Sequence, residues 1–274
     1  MRKAIYCAFA LIFITSFAFA QSHNATTDQV GNRNAADIEQ IVGGGGPGVA
    51  NTGLIDQDGN DNEGEIFQNT NGFPGSGEEA YIYQTGDRNF GKVQQFNDGH
   101  TSEIDQDGND NYANVYEHGN KNSAYARQSG QSNVARQTVY GGGSGPNSLD
   151  VYQYGNRNNV NQELGQAWTQ SVINSEAYAY QSGNDNTGIQ KVEGNGYPHP
   201  ILSDNNDVSI TQDGDRNWSK QDIQMNAAGD VFDNSATVSQ VGNDNWSKQT
   251  LIGTGHQSHV SQDGNDNTAE TMQN

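Results

Sequence analysis

The chain has 274 residues, with 33 acidic side chains against 13 basic ones, a formal net charge of −20 and a mean hydropathy of −0.88. So large an acidic surplus excludes nucleic acid as a partner, because phosphate binding needs clustered Lys and Arg. Low hydropathy with few large aliphatics would ordinarily mean disorder, so a fold can declare itself only through periodicity.

Arg2 and Lys3 precede an apolar run from Ala4 to Phe17, followed by the small-x-small sequence Ala18-Phe19-Ala20. This pattern predicts a secretory signal peptide over residues 1–20, a mature chain from Gln21, and a secreted, extracellular protein. The run falls short of the roughly 20 apolar residues that a span requires, so no membrane insertion is expected. Cleavage removes Cys7, the only cysteine, and with it any disulfide or thiolate chemistry.

From there on, one motif recurs. Gln-x-Gly-x-x-Asn starts at Gln29, Gln57, Gln84, Gln106, Gln128, Gln153, Gln181, Gln212, Gln240 and Gln262, with a near-copy from Glu117 to Asn122. Successive starts lie 28, 27, 22, 22, 25, 28, 31, 28 and 22 residues apart, and Glu117 divides one interval of 22 into 11 and 11. Two elevens make one rung of strand, turn, strand, turn, and larger spacings mean that one turn is lengthened.

The columns support strands. With the motif glutamine as zero, position −2 is apolar in nine repeats of ten, Thr27 being the exception, while −4 and +7 are mostly small. Positions +9 and +11 pair an apolar residue with glutamine: Ile38 and Gln40, Ile66 and Gln68, Val93 and Gln95. From Gln137 and Val139 onward the order reverses, as in Gln162 and Leu164, Gln190 and Val192, Gln221 and Ile223, Gln249 and Leu251. A swap across two residues keeps both groups on the same face, as period-two burial demands. A helical reading fails, since the motif glycines would interrupt it repeatedly. The predicted fold is all-β: one domain over residues 21–274, a cross-β β-solenoid of about ten strand-turn-strand rungs in parallel stacking.

The lengthened turns fall on the edge opposite the motif turns: Gly43 to Pro47, Asn69 to Gly77, Gly141 to Pro146, Gly165 to Asn174, Gly194 to Asn205 and Asn226 to Asp233. They read as tolerated surface insertions. No capping helix is expected at either end, so both end rungs should present unpaired strands that can template another chain head to tail.

Stacking at roughly 4.8 Å places each inward amide over its equivalent, where a side chain carrying both donors and an acceptor can satisfy its neighbour without water. The motif glutamines are therefore predicted to form one ladder. A second ladder is predicted from Asn34, Asn62, Asn89, Asn111, Asn133, Asn158, Asn186, Asn217, Asn245 and Asn267. Inside the turns, Gly31, Gly59, Gly86, Gly108, Gly130, Gly155, Gly183, Gly214, Gly242 and Gly264 are expected at positive φ or close backbone approach. Trp218 and Trp246, and Tyr152 and Tyr180, occupy equivalent outward positions and should stack.

Chemistry beyond stacking finds little footing. Asp105 to Asp110 fits neither the EF-hand loop nor the nonapeptide calcium roll. His100, His118, His199, His256 and His259 lie in or beside turns with no nucleophile motif. No enzyme activity, metal or cofactor is expected, and no outward threonine column suggests an ice binder.

The unit Asn-x-Ala-x-φ-x-Gln-x-Gly-x-x, where φ is apolar, as in Asn34 to Gln40 and Gln106 to Ala113, resembles the curlin repeat of bacterial curli fibre subunits. The resemblance spans essentially the whole mature chain, although familiar curlins are shorter. It implies an extracellular amyloid subunit that polymerises at the cell surface into biofilm matrix. The implied partners are further copies of itself, a nucleator subunit and an outer-membrane secretion machinery.

Overall fold

A computed structural model describes residues 23–41, 50–70, 77–141, 146–165, 170–193, 195–196, 203–226 and 231–274. The signal peptide, the start at Gln21, the Gly43 to Pro47 insertion and His199 lie outside them. The described chain is all-β, without a helix. Ten first arms form one sheet: Asn24–Asn32, Thr52–Asn60, Glu79–Asp87, Thr101–Asn109, Ser123–Gln131, Ser148–Asn156, Glu176–Ser182, Asp207–Asp213, Ser235–Val241 and Gln257–Asp263. Ten second arms form the other: Ala35–Ile41, Glu63–Asn69, Phe90–Asp98, Tyr112–Asn120, Val134–Tyr140, Asn159–Leu164, Thr187–Val192, Trp218–Gln224, Trp246–Ile252 and Thr268–Gln273. Each first arm with the second arm that follows is one rung, numbered 1 to 10 in chain order. The result is a β-solenoid.

Neighbouring arms pair in parallel without a register shift, so Gln29 lies on Gln57 and Ala36 on Gly64 at one end, while Gln240 lies on Gln262 and Ser247 on Ala269 at the other. All extra length is accommodated between a second arm and the next first arm. The shortest such links are two residues long, Gly99-His100 between arms ending at Asp98 and starting at Thr101, and Lys121-Asn122 between arms ending at Asn120 and starting at Ser123. The insertions are not plain loops throughout. Gln170–Ile173 pairs in parallel with Ser203–Asp204 and antiparallel with Asn195–Gly196, and Gly141 bridges to Val172. Successive insertions on this edge thus continue the stack in miniature.

The core is a thin bilayer between the two sheets. Ile55, Ile82, Ile104 and Val151 of the first arms are fully buried in one cluster with Val93, Val115, Val139, Leu164, Ile223 and Leu251 of the second, while Ile210, Val238 and Val260 form a second cluster. Complete burial of such side chains stabilises by about 1.5–3 kcal/mol each. The small columns are a spacing requirement. A Cβ on Gly64 would stand 2.8 Å from Ile55 Cγ2, and one on Gly91 2.9 Å from Ile82 Cγ2. Large and small residues alternate because the sheets are too close for two large ones.

Two residues of each motif turn, not one, have positive φ. The glycine is joined by position +4, as in Arg33 (φ 57), Asp61 (φ 58), Arg88 (φ 57), Asp110 (φ 58) and Ser132 (φ 57). Together they reverse the chain within four residues, and Asp is among the non-glycine residues that tolerate this region. The glycine itself is irreplaceable for a second reason: a Cβ on Gly108 (φ 122) would fall 2.0 Å from the carbonyl oxygen of Gly130 in the next rung. Gly108→Ala is expected to destabilise the solenoid by about 3 kcal/mol or more. Gly255→Ala, at a φ of 72 with nothing within 4 Å, should cost about 1 kcal/mol. Urea unfolding followed by circular dichroism compares the two.

Candidate functional site

The motif glutamines form one uninterrupted column. Nε2 of Gln29 donates to Oε1 of Gln57 at 2.7 Å, and the same bond repeats through Gln84, Gln106, Gln128, Gln153, Gln181, Gln212 and Gln240 to Gln262, at 2.7–3.0 Å. From Gln57 to Gln262 the second N–H of each amide crosses the core to a carbonyl of the opposite sheet, as Gln57 does to Ala35 and Gln262 to Trp246, both at 3.0 Å. These amides therefore stitch rung to rung and sheet to sheet. From Gln57 to Gln240 both donors are used, so full burial leaves no unmet N–H there.

The asparagine column combines an amide-to-amide ladder with bonds to the backbone: Nδ2 of Asn111, Asn133, Asn186, Asn245 and Asn267 donates to Oδ1 of the asparagine one rung earlier, at 2.9–3.2 Å. Asn34 Oδ1 accepts the backbone N–H of Asn62 at 3.0 Å, and its Nδ2 donates to the carbonyl of Gly59 at 3.0 Å. The pattern repeats up the stack, ending with Asn267 N–H on Asn245 Oδ1 at 3.1 Å and Asn245 Nδ2 on Gly264 O at 2.8 Å. Side-chain amides replace strand hydrogen bonds where the turns leave the ladder, which is why Asn recurs next to Gly.

Three further columns escaped the motif description. At position +3, Asn60, Asp87, Asn109, Asn156, Asn184 and Asp215 each accept a backbone N–H from the rung below through Oδ1. At +4, Arg33–Asp61, Arg88–Asp110, Arg157–Asp185 and Arg216–Asp244 form two-bond ion pairs between successive rungs, at 2.5–2.8 Å. They are exposed and hold Asp61, Asp110, Asp185 and Asp244 below the usual carboxylate range through the hydrogen bonds of their arginines. Solvent screens exposed pairs of this kind, so they favour register more than stability. The third column, at −6 on the insertion edge, is chemically mixed: Asn51, Glu78, His100, Asn122, Asn147 and Ser175 each present an acceptor to the backbone N–H of the following rung or, for Asn122, to the Nδ2 of Asn147.

The outward aromatic pairs divide. Trp218 and Trp246 stack at 5.2 Å and 6°. Tyr152 and Tyr180 share a register, but their rings lean onto diagonal neighbours, Tyr152 on Tyr178 at 5.8 Å and Tyr154 on Tyr180 at 5.7 Å.

The second-arm ladder changes track at rung 4. Gln40 donates to Gln68 and Gln68 to Gln95, at position +11, and Gln95 then donates to Glu117 Oε2 at 3.1 Å. Glu117 is stacked on Val139, which offers no side-chain acceptor, and the ladder restarts at +9 from Gln137 through Gln162, Gln190 and Gln221 to Gln249. Ser102 Oγ completes the stop by donating to Glu117 Oε2 at 2.5 Å. A glutamine here would bring a buried NH2 with no ladder partner ahead of it; Glu117 brings no N–H, and its Oε1, which faces no donor, is where the column stops. Burial drives Glu117 from its ordinary 4.5 up to about 8, against the two donors that favour its ionised form. Burial does the same to Glu78, also raised to about 8, and lowers His100 to about 4. His100 Nδ1 accepts the N–H of Asn122 while Nε2 lies 2.9 Å from the carbonyl of Phe96, a pairing that needs the neutral ring.

Among the described residues no group of three His, Cys, Asp or Glu could hold a metal ion, and no helix is long and apolar enough to cross a membrane. No family model matches the chain, and no curated protein matches it.

The buried groups make stability pH-dependent with opposed signs. Carboxyls raised from 4.5 to about 8 stabilise fully below 4.5 and lose that contribution as pH rises toward 8; His100 contributes fully above 6.5 and loses it as pH falls toward 4. Between pH 6.5 and 8 only the carboxyl effect remains, so the unfolding midpoint should fall across that window. Glu117→Gln should be less stable than the parent at pH 5, by about 1–3 kcal/mol for the unmet N–H, with the gap narrowing toward pH 8. Thermal unfolding at the two pH values reads this directly.

Proposed function

We propose that this chain is the structural subunit of an extracellular, curli-like amyloid fibre, secreted and polymerised head to tail by edge-strand addition, and serving biofilm matrix, adhesion and aggregation. The observation that carries this reading is that the first-arm glutamine column and the asparagine column run through all ten rungs and stop at strands that, among the described residues, are paired on one side only. One end is formed by Asn24–Asn32 and Ala35–Ile41, the other by Gln257–Asp263 and Thr268–Gln273. The rung-1 first arm is exposed along all nine residues. Such edges are templates for the next chain, and a translation that never closes makes a filament. The recurrent curlin-like unit supports the same reading. The proposed partners are further copies of this chain, a nucleating subunit and a secretion apparatus.

Electron microscopy of the purified protein tests this: unbranched fibres with an axial subunit repeat of about 48 Å are expected, from ten rungs at roughly 4.8 Å. Discrete particles at all concentrations would refute it. The net charge of −20 opposes association, so raising ionic strength from 0.01 to 0.15 M, which shortens the screening length from about 30 to 8 Å, should shorten the thioflavin lag severalfold.

A further inference from the structure

The fibre reading leaves open which surfaces meet and in what register, and the ladder discontinuity bears on both. Rungs 5 to 9 carry their second-arm glutamine at +9, but rung 10 does not continue them. Thr271 stands over Gln249, and Gln273 over Leu251. Rung 10 has thus returned to the +11 placement of rung 1, where Gln40 lies. The return has the same construction as the stop at rung 4, with a serine at −4. Gln249 Nε2 donates to Ser258 Oγ at 2.9 Å, and Ser258 Oγ lies 2.8 Å from Thr271 Oγ1. Nothing in rung 9 calls for this reset; a simple continuation would place Gln at 271 and an aliphatic at 273.

We infer that rung 10 is shaped to receive rung 1 of a second copy in a single polarity and zero register shift, with Gln273 set to continue into Gln40 as Gln262 continues into Gln29. This inference rests on the fibre reading and specifies its joint. The loose ends agree in direction. All first-arm amides point Nε2 toward the C-terminal end, so Gln29 offers an Oε1 and Gln262 an Nε2. In the asparagine column Asn267 Oδ1 is the acceptor next in sequence for the backbone N–H of Asn34. The +4 column gives the joint its charge match, because Asp266 at the last rung meets Arg33 at the first. Head-to-head contact would instead set Arg33 against Arg33, and tail-to-tail Asp266 against Asp266. One pair opposes the fit, Glu270 over Asp37; it lies on the outer face, where Lys248 stands 2.9 Å from Glu270 and salt screens it.

Disulfide mapping in a Cys7→Ala background tests the joint, since no other cysteine is present. Val30→Cys and Asp263→Cys both sit at +1 on the outward face and, at zero shift, would be roughly 5 Å apart across the joint, within reach of a disulfide. The doubly substituted chain should give a ladder of covalent multimers under mild oxidation. Val30→Cys with Ser261→Cys, displaced by two residues, should not. A second variant, Thr271→Gln with Gln273→Leu, extends the rung-9 pattern within the chain and removes the match to rung 1. It should leave the unfolding midpoint of the monomer unchanged or higher while slowing seeded elongation by about tenfold or more, the effect of a buried amide without a partner. Fibres that form with equal cross-linking of both cysteine pairs, or elongation unaffected by the swap, would overturn the joint and leave the fibre reading standing. Monomers alone, with neither fibres nor multimers, would overturn both.

Discussion

The structure depends on the fact that a primary amide can satisfy itself by translation. Glutamine carries two donors and an acceptor, and when the next glutamine lies one strand spacing away, one donor meets that neighbour's oxygen while the other is free to cross the core. Gln57, Gln106 and Gln240 all do this at full burial. An unpaired buried amide would be costly, so the favourable state exists only while the register is exact to the residue. Aliphatic contacts supply most of the burial energy, but they tolerate sliding. The amide columns do not.

That constraint explains the rest of the design. Zero register shift requires turns that repeat identically, hence a glycine whose φ no other residue adopts easily and whose Cα packs on the next rung's carbonyl. It requires extra chain to leave where it cannot disturb stacking, hence insertions at the opposite edge alone. It also requires a device wherever a ladder changes track. Glu117 with Ser102, and Thr271 with Ser258, are the two places where the second-arm column moves by two residues, and each ends in oxygen functions in place of an amide. The acidic side chain at the first of these carries a cost in pH sensitivity, because it terminates the column only as the neutral acid.

Much of this could be read from the residues alone. Period-two columns and the eleven-residue unit define the strands, their parallel stacking, the insertion edge and the glutamine ladder, because each is a statement about which residues share a face. What the columns did not convey was bonding to the backbone. The asparagines bond to one another in part, as their spacing suggests, but they also substitute for strand hydrogen bonds, and nothing in the spacing shows that second role. The motif leaves +3 and +4 unspecified, although Asn or Asp fills +3 in nine repeats of ten and +4 alternates Arg33, Asp61, Arg88, Asp110 before Ser132. That alternation is a signal of ion pairing between rungs. The −6 column is hidden by its chemistry: Asn, Glu, His and Ser share no class, only the ability to accept a hydrogen bond, and His100 and Glu78 sit at the insertion edge, outside the motif.

A stack whose order is enforced by directional bonds differs from one held by apolar contact at its ends. Apolar edges would accept any apolar strand, in either direction and at several offsets. Columns of oriented amides, terminated on one side by oxygens and on the other by N–H groups, accept only a strand that continues them. The same feature that keeps ten rungs in register within the chain therefore selects what can follow the tenth. In the proposed fibre, growth would repeat across a chain boundary what folding does within the chain.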